Sequence, residues 1–546
     1  MKKAVFALAT SVLLSLFWPG VWGIETQPFA VVWFFALVPL LWVEEQIRLD
    51  NRRRKGWRFF GYAYLSMGAF NLGTTYWVWN AHWSGVAGTV FINGALMALV
   101  WSAFSWVARV HSPRIGYWTL VSGWLALEVM HEDWAFSFPW LDLGHIYAAS
   151  PGSVQWYEYT GHRGGTLWLI VSSIVTFEAL AAIRTHKYRW KDWKFIFKTP
   201  LPYVWFVPVF WSIAITFGSE WDSDRQVRAT FIQPNLDPYK EKFETSDKNL
   251  AHIWKDSLVE DVNERLERQH VTKEEASTSL VVFPETFLHE GIHEQFANAF
   301  RPILVLDSFA TAFRHSSLIV GANTVDFKRK EETSSGSNKR RTIEKFNSAI
   351  ALSHGQPMEF YHKSKLVVGA EYMPFGDLLT PWLGEITLDL GGTTGALGTQ
   401  TEREVFTLAD TTLKVAPIIC WEQDYGAFVR EYAKRGANLF AIMTNDGWWG
   451  NSLGHVTHFH YARLRAIENR RAVVRAANTG ISGFIAPNGQ SYNLRTWDVA
   501  AMATDWVAIR NQKTFYTVYG DLIGRGGALL FPLLLLSVLV RQRVQR

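Results

Sequence analysis

The chain has 546 residues, a formal net charge of +5 and only 19% charged residues, while 15% of its residues are aromatic. A soluble globular protein carries about a quarter charged residues, so the composition excludes an ordinary water-soluble single domain. Lys and Arg occur in short clusters between apolar blocks, which argues against a nucleic-acid-binding surface, and we expect no nucleic acid partner.

Apolar blocks dominate the first 218 residues, and a helix needs about 20 such residues to cross a bilayer. We predict seven spans there and an eighth near the C-terminus, at about 4–22, 27–47, 59–80, 87–109, 115–132, 163–183, 200–218 and 522–540. An N-terminal "KK" before an apolar run is also typical of a cleaved signal peptide, so the retention of residues 1–23 stays open. The predicted organisation is a transmembrane bundle over 1–218, a polar domain over 219–520, and a C-terminal span with a tail over 521–546.

Five basic clusters predict the orientation, because cytoplasmic loops retain Lys and Arg. In the eight-span arrangement all five fall on the same side; they are "MKK", "RLDNRRRKGWR" (48–58), "RVHSPR" (109–114), "RTHKYRWKDWKFIFK" (184–198) and "RQRVQR". Both termini are therefore predicted to be cytoplasmic, and the polar domain to lie outside the cytoplasm.

Strands and helices alternate along the polar domain. We predict strands at "VRATFIQPNL", "SLVVFPETF", "SSLIVGANT", "FNSAIALS", "MEFYHKSKL", "TLKVAPIIC" and "ANLFAIMT", a closing hairpin at "VVRAANTGISGFIAPNG", and helices at "NLAHIWKDSLVEDVNERLERQ", "PILVLDSFATAFRH" and "HFHYARLRAIENRRA". The polar run "KRKEETSSGSNKRRT" (328–342) is predicted to be a solvated loop. Such alternation indicates a layered α/β fold.

Cys420 is the only cysteine, and it follows the last residue of the strand "KVAPII". Cysteines outside the cytoplasm usually pair as disulfides, so an unpaired one is either a buried inert thiol or a reactive nucleophile. Glu285 and Lys363 also lie at or near strand ends. A carboxylate can take the thiol proton and an ammonium can stabilise an oxyanion, so the three form a complete set for acyl chemistry. Spacing alone does not decide, because Glu and Lys most often belong to solvated surfaces.

Four motifs carry a resemblance to a known family. "FPETF", "YHKSKLVVGAEYMPFG", "APIICWEQDYG" and "TNDGWWG" occur in the order typical of the nitrilase, or carbon–nitrogen hydrolase, superfamily. With its polytopic N-terminal half, "FPWLDLGH" (138–145) and the single C-terminal span, the chain resembles the apolipoprotein N-acyltransferases of Gram-negative bacteria. The resemblance implies a bundle of eight transmembrane helices with an αββα sandwich domain of the nitrilase type.

The resemblance also implies roles for particular residues. The catalytic residues of the family fall on Glu285, Lys363 and Cys420, and two further family glutamates fall on Glu371 and Glu422. Trp421 occupies a position where the family often has tyrosine, so the aromatic ring is kept and the hydroxyl is lost. The stretch "VQWYEYTGHRGGTLWL" (154–169) resembles a subgroup feature and receives no role.

The implied reaction moves an acyl chain from a phospholipid to the N-terminal amine of a diacylglyceryl-modified lipoprotein, through a thioester on Cys420. It requires no cofactor and no metal, and it would take place at the bacterial inner membrane with the catalytic domain facing the periplasm. One alternative is a membrane-tethered amidase or nitrilase-type hydrolase that uses the same three residues and water.

An alternative from another class of protein is a transporter or receptor. Ionisable residues inside a membrane span would favour this alternative. The candidates Glu128, His131, Glu132 and Asp133 cluster at the outer end of the fifth predicted span, not at its middle.

Two loops, 381–400 and 447–454, combine Gly with apolar residues. We predict that they contact the bilayer and gate lipid entry, with Trp448 and Trp449 at the water–lipid interface; ordinary packed loops are the alternative.

Overall fold

The computed structural model describes residues 1–24, 30–185, 197–218, 225–239, 241–328, 342–372, 374 and 397–545. The chain forms two compact units. The first comprises Met1–Glu220, Ser452–Glu468 and Thr514–Arg546, and the second comprises Trp221–Asn451 and Asn469–Lys513. These divisions lie near the predicted boundaries at 218 and 520, but the polar domain is interrupted, because Ser452–Glu468 belongs to the first unit.

The first unit is helical. Its helices are Lys2–Leu16, Val38–Arg48, Lys55–Thr75, Trp83–Gly88, Gly94–Val110, Pro113–Met130, Tyr157–Thr160, Arg163–Arg184, Leu201–Gly218, Leu453–Asn469, Phe515–Tyr519 and Leu522–Val544. Every predicted span overlaps one of these helices. Within the described ranges, four helical segments are long and apolar enough to cross a membrane: Trp83–Val110, in which the π-helical turn Thr89–Asn93 joins two of these helices, Arg163–Arg184, Leu201–Gly218 and Leu522–Val544. The count of eight spans stays a prediction, because Lys2–Leu16 and Val38–Arg48 have 15 and 11 residues, fewer than the roughly 20 a span needs.

The long helices start where the sequence supplies caps. Ser112 precedes the helix Pro113–Met130, and its side chain accepts a hydrogen bond from the Ile115 amide while Pro113 takes the first helical position. Asp521 caps Leu522–Val544 by accepting from the Gly524 amide at 2.7 Å. At the other end of that helix Arg541 and Arg543 lie in the last turn, where positive charge complements the helix dipole.

The stretch 154–169 supplies the centre of a buried polar network in the first unit. The Arg163 guanidinium lies 2.6 Å from Asp521 and 3.0 Å from Glu132, and His162 places its two ring nitrogens 2.9 Å from Asp142 and 3.2 Å from Glu468. Buried charges are tolerated when they are paired. The network therefore joins the helices Arg163–Arg184, Leu453–Asn469 and Leu522–Val544.

The helix Leu453–Asn469 follows the motif "TNDGWWG" and is packed within the first unit. Its Tyr461 hydroxyl donates to the Trp140 carbonyl at 2.6 Å, and its Thr457 hydroxyl donates to the Pro19 carbonyl at 2.7 Å. A Cβ on Gly454 would meet the Trp77 ring at 2.6 Å, so this position needs a glycine. The histidines of "HVTHFHY" lie on this helix, which begins five residues before the predicted "HFHYARLRAIENRRA".

The second unit contains two sheets. In chain order the strands are β1 Gln226–Gln233, β2 Leu280–Val282, β3 Leu288–His293, β4 Ser317–Lys328, β5 Thr342–Ser353, β6 Glu359–His362, β7 Phe406–Thr407, β8 Lys414–Ile419, β9 Leu439–Thr444, β10 Ala472–Ala477, β11 Ser482–Ile485, β12 Ser491–Arg495 and β13 Ala501–Ala508. The helices are Glu241–Glu244, Asp247–Gln269, Lys273–Ala276, Arg301–Ala312 and Gly426–Lys434.

The strand order is β13-β1-β2-β4-β5-β6 in one sheet, where β3 also pairs with β4, and β12-β11-β10-β9-β8-β7 in the other. The inner faces meet at Phe231 and Phe484, whose rings lie 5.3 Å apart. The helices Asp247–Gln269 and Arg301–Ala312 pack their apolar residues on the first sheet, and Gly426–Lys434 contacts β8 of the second. This helix–sheet–sheet–helix arrangement confirms the predicted nitrilase-like α/β domain.

Four strands were not predicted: β3, β7, β12 and β13. The closing hairpin continues into β12 and β13, and β13 pairs antiparallel with β1 along its whole length, from Gln226 opposite Ala508 to Gln233 opposite Ala501. The segment "AMATDWVA" is mostly half-buried and mixes polar with apolar residues, so its pattern does not stand out in the sequence. In the predicted loop 328–342 the end residues Lys328 and Thr342 pair as the last rung of β4 and β5, and 329–341 lie outside the described residues.

Candidate active site

Four chain segments bring polar side chains to the ends of neighbouring strands. Glu285 follows β2, Lys363 follows β6, Cys420 follows β8 and Asn445 follows β9. Strands β1, β2 and β4 are parallel, as are β8, β9 and β10, so their carboxyl ends meet at common edges. In layered α/β folds this is where functional groups collect.

Lys363 bridges two of the predicted glutamates. Its ammonium lies 3.0 Å from the Glu285 carboxylate and 2.9 Å from the Glu371 carboxylate, and the side chain is 1% exposed. The Lys363 amide donates to the Asn347 carbonyl at 2.8 Å, which continues the β5–β6 ladder one residue beyond the strand. Two carboxylates therefore hold the ammonium, and the hydrogen bond to Asn347 fixes the backbone that carries it.

The Glu285 carboxylate is oriented by three donors. Its Oε1 accepts from Lys363 Nζ and from Asn347 Nδ2 at 2.8 Å, and its Oε2 accepts from the Asn445 amide at 3.0 Å. An ionised carboxylate has about four acceptor positions, and these bonds occupy three of them. The remaining capacity allows Glu285 to receive a proton.

Cys420 is buried, with 6% of its surface exposed, and its backbone has φ of +50°. A residue other than glycine in this left-handed region carries strain of roughly 1–3 kcal/mol, and such residues cluster at functional sites. The Thr444 side chain interacts with the thiol, and its hydroxyl donates a hydrogen bond to Asp446 Oδ1 at 2.8 Å. Asp446 is in turn 3.0 Å from the buried Arg475 guanidinium.

The three predicted catalytic residues interact electrostatically. Burial and the negative charge of Glu285 raise the pKa of the Cys420 thiol well above its usual value, against the opposing effect of Lys363. Burial alone would raise the pKa of Glu285, but the Lys363 ammonium and the Asn347 hydrogen bond outweigh it and lower that pKa. Despite burial, the charges of Glu285 and Glu371 raise the pKa of Lys363. The resting site therefore holds a protonated thiol beside an ionised carboxylate and an ammonium.

Glu422 connects the segments that carry the cysteine and the lysine. Its Oε2 accepts from the Ile419 amide at 2.8 Å, and its Oε1 accepts from the Ser364 amide at 2.7 Å and from the Tyr361 hydroxyl at 2.6 Å. Ile419 precedes Cys420, and Ser364 follows Lys363. Glu422 thus binds backbone next to both residues.

The other predicted site residues lie nearby along the chain. Trp421 is buried and its indole donates to the Tyr425 hydroxyl at 3.0 Å. Trp448 and Trp449 end a 3-10 turn and are half-buried, and the Trp448 ring packs edge-on against Tyr239 at 5.0 Å. In the predicted loop 381–400, residues 381–396 lie outside the described residues. The bilayer contact of both loops stays a prediction.

Sequence reasoning did not select Asn347, Asn445 or Thr444, although each contacts a predicted catalytic residue. Thr444 ends β9 and Asn445 follows it in "AIMTND", whereas Asn347 lies within β5 in "FNSAIAL", beside apolar residues. That contrast between one polar side chain and its apolar neighbours was the available signal.

Among the residues that the structure describes, no group of three or more His, Cys, Asp or Glu side chains could hold a metal ion. The arrangement supplies a nucleophile, a base and a cation, which is the chemistry of acyl transfer through a covalent intermediate.

Residues 231–507 match the carbon-nitrogen hydrolase family, and residues 7–175 match the apolipoprotein N-acyltransferase N-terminal domain. The chain is 27% identical to the apolipoprotein N-acyltransferase of Chlorobaculum tepidum, over 99% of this chain and 97% of that protein. It is 24% identical to that of Geobacter metallireducens, over 95% and 92%, and 22% identical to apolipoprotein N-acyltransferase 1 of Treponema denticola, over 99% and 97%.

Among solved structures, the chain is similar to an amidase of the nitrilase superfamily from Nesterenkonia AN1. The sequence identity is 15% and the TM-score is 0.33, and the match covers 57% of this chain and 98% of the amidase.

Proposed function

The chain belongs to the carbon–nitrogen hydrolase family and carries, ahead of that domain, the N-terminal domain of the apolipoprotein N-acyltransferases; from this membership we propose that it acylates the N-terminal amine of lipoproteins. The donor is a membrane phospholipid, and the acceptor is the diacylglyceryl-cysteine that begins the lipoprotein. The observation that carries the proposal is the presence of both domains in one chain, together with the ion pair between Lys363 and Glu285 beside Cys420.

In the first half of the reaction Glu285 takes the proton of the Cys420 thiol, and the sulfur attacks the carbonyl carbon of a phospholipid ester. The C–S bond forms and the carbonyl oxygen becomes an oxyanion, which the Lys363 ammonium stabilises. When the C–O bond breaks, the proton on Glu285 passes to the leaving alcohol. The products are a lysophospholipid and a thioester on Cys420.

In the second half the lipoprotein amine attacks the thioester carbonyl. Glu285 removes a proton from the attacking nitrogen, and the C–S bond breaks to give an amide. The sulfur leaves as a thiolate and takes the proton back from Glu285. Glu371 holds Lys363 in place during both steps, and Glu422 positions the backbone beside Cys420.

The protein is an integral membrane protein of eight spans, with 1–218 and 521–546 forming the bundle and 219–520 forming the catalytic domain. Both termini are cytoplasmic, and the catalytic domain faces the periplasm from the inner membrane. Support comes from the five basic clusters, which fall on one side of this arrangement, and from the four long apolar helices.

Trp448 and Trp449 contact the bilayer and admit lipid substrates to Cys420. Both are half-buried in a turn directly after β9, and tryptophan is enriched at the water–lipid interface. Changing both to Ser should slow acylation from vesicles more than alkylation of Cys420; equal losses would indicate a folding defect instead.

The proposal is tested by the mass of the Cys420 peptide. Wild-type protein incubated with phospholipid should gain one acyl chain, and a diacylglyceryl-cysteine peptide added afterwards should remove it as an amide. Release of free fatty acid at the same rate without the peptide would identify a hydrolase. Wild-type protein that never gains an acyl chain would contradict the mechanism.

Substitutions at the three catalytic residues test which step of the reaction each residue performs. Cys420→Ala should gain no acyl chain while remaining folded, and Glu285→Gln should not accumulate thioester, because it has the shape of the glutamate without its basicity. Lys363→Met removes one oxyanion-stabilising group, a change that typically costs roughly 10²–10³ in rate, so traces of thioester should form. Full thioester formation in Glu285→Gln would remove the general base from this scheme.

A further inference from the structure

Lys242 is a buried lysine close to Glu285 that the proposed mechanism does not use. It belongs to the short helix Glu241–Glu244, is 5% exposed, and its ammonium donates a hydrogen bond to the Thr286 hydroxyl, one residue after Glu285. Lysines are rarely buried unless an opposite charge compensates them. Lys242 interacts electrostatically with Glu285 and with Asp247.

The segment that carries Lys242 is attached to the site by backbone hydrogen bonds. The Asn235 amide donates to the Asn478 carbonyl at 2.8 Å, and the Asn478 amide donates to the Thr444 carbonyl at 2.9 Å. The Lys242 amide donates to the Asp237 carbonyl at 3.1 Å, which closes the turn before the short helix. The position of the ammonium is therefore tied to β9 and β10.

Charge balance indicates what this second ammonium does. Charged and titratable groups reach this part of the site from several elements; they are Glu285, Lys363, Glu371, Lys242, Asp247, His289, Cys420, Asp446 and Arg475. Asp446 and Arg475 neutralise one another. Glu285, Glu371 and Asp247 carry three negative charges, against which stand the positive charges of Lys363 and Lys242, so loss of Lys242 would leave Glu285 and Asp247 with one compensating cation fewer.

The same balance holds at the point of reaction. When the thiol proton has moved to Glu285 and an oxyanion has formed, the negative charges are Glu371, Asp247 and the oxyanion. Lys363 and Lys242 together compensate two of these charges, whereas Lys363 alone compensates only one in a buried site. Fixed charges of this kind stabilise a transition state without reorganisation.

We propose that Lys242 is a positioning residue of the active site, which acts through Glu285 by holding Thr286 and by keeping the Glu285 carboxylate ionised beside Cys420. The proposal rests on the proposed function in that Glu285 is the base. Burial lowers the pKa of Lys242 to about 8, against the opposing effects of Glu285 and Asp247, so the ammonium form prevails at neutral pH. Lys242 in turn contributes to the lowered pKa of Glu285.

The test is the pH dependence of thioester formation in Lys242→Met, Lys242→Arg and the wild type, read from the mass of the Cys420 peptide after exposure to phospholipid vesicles. Acylation requires ionised Glu285. Removing a nearby cation raises the pKa of Glu285, so the acid limb of the Lys242→Met profile should move to higher pH by about one unit or more. On that limb the rate should fall about tenfold per unit, and it should recover towards the wild-type rate as the pH rises. Lys242→Arg should keep the limb close to its wild-type position.

Lys248 supplies a matched control, because it is an exposed lysine on the adjacent helix Asp247–Gln269, and Lys248→Met should leave the profile unchanged. A Lys242→Met profile that coincides with the wild type, or that falls by the same factor at every pH with no rescue by Arg, would overturn the inference. If the wild type forms no thioester, the proposed function fails separately. The acid limb of Cys420 alkylation by iodoacetamide, which also requires loss of the thiol proton, then decides the role of Lys242.

Discussion

At the scale of single residues, Glu422 shows how one buried carboxylate can set the geometry of a site that it does not enter. Its two oxygens accept three hydrogen bonds from Ile419, Ser364 and Tyr361. Two of these donors are backbone amides adjacent to Cys420 and Lys363. A small displacement of Glu422 would move the nucleophile and the ammonium relative to each other.

We predict that Glu422→Gln lowers stability and slows acylation together. The Gln amide nitrogen cannot accept a hydrogen bond, so at least one of the three donors loses its partner inside the fold. An unsatisfied buried donor costs about 1–3 kcal/mol, which a lowered Tm would report. Glu404 is exposed, so Glu404→Gln should leave Tm unchanged. An unchanged Tm in Glu422→Gln would contradict the bridging role.

The stability of the wild type and that of Glu422→Gln should also depend differently on pH. Burial raises the pKa of Glu422 from its ordinary 4.5 to about 7, although its three hydrogen bonds oppose the change. Between these values the folded protein keeps a proton that the unfolded chain releases, so this group makes the folded state less stable as pH rises. The Gln side chain does not titrate, so it makes no pH-dependent contribution to the free energy of unfolding. The Tm difference between wild type and Glu422→Gln should therefore narrow from pH 4.5 to pH 7.

At the scale of elements, β4 provides the surface on which the glutamate segment lies. An added Cβ at Gly321 would lie 2.2 Å from the Pro284 carbonyl oxygen and 2.8 Å from the Glu285 Cα. Both contacts are with backbone, which cannot turn aside as a side chain can. Gly321 on β4 therefore allows the segment after β2 to approach closely enough for Glu285 to reach Lys363.

We predict that Gly321→Ala displaces Glu285 and reduces thioester formation more strongly than it reduces stability. Overpacking of this kind costs roughly 1–3 kcal/mol, while displacement of a catalytic carboxylate by even 1 Å can cost about a hundredfold in rate. The measurement is the rate of Cys420 acylation beside Tm. Gly526→Ala is the control, because a Cβ there meets nothing within 4 Å. An acylation rate equal to that of the wild type would show that the segment adapts.

At the scale of the whole molecule, the chain passes four times between its two units, after residues 220, 451, 468 and 513. Strand β9 and the turn Asp446–Trp449 belong to the second unit, the next helix Leu453–Asn469 lies largely in the first, and β10 returns to the second. The proposed topology places the catalytic domain on the outer side of the membrane, so every segment of the second unit must be exported together.

We predict that a reporter that is active only outside the cytoplasm is active when inserted near residue 330. This position follows β4 in a polar run, where insertions are tolerated. The same reporter inserted near residue 50, within the basic cluster 48–58, should be inactive, because this loop is predicted to be cytoplasmic. The reverse pattern would overturn the proposed orientation.

The sequence by itself determined the features that local chemistry encodes. Apolar blocks, basic clusters and strand patterns depend on neighbouring residues, and the lone Cys420 with its motif could be read from the chain alone. Glu285 and Lys363 were selected because acyl chemistry requires a base and a cation and because the motifs match a family. Neither the composition nor the spacing showed that Lys363 contacts Glu285 and Glu371 at once.

Only the tertiary structure decided which distant segments meet. The helix Leu453–Asn469 reads as an ordinary amphipathic helix of the polar domain, yet Arg465 and Glu468 on it are fully buried within the first unit. Their burial is possible because residues hundreds of positions away, such as His162, supply partners. Strand β13 pairs with β1 across more than half of the domain, and Lys242 approaches Glu285 through a hydrogen bond to Thr286. Pairings of this length depend on the packing of the complete fold, and no local pattern in the sequence encodes them.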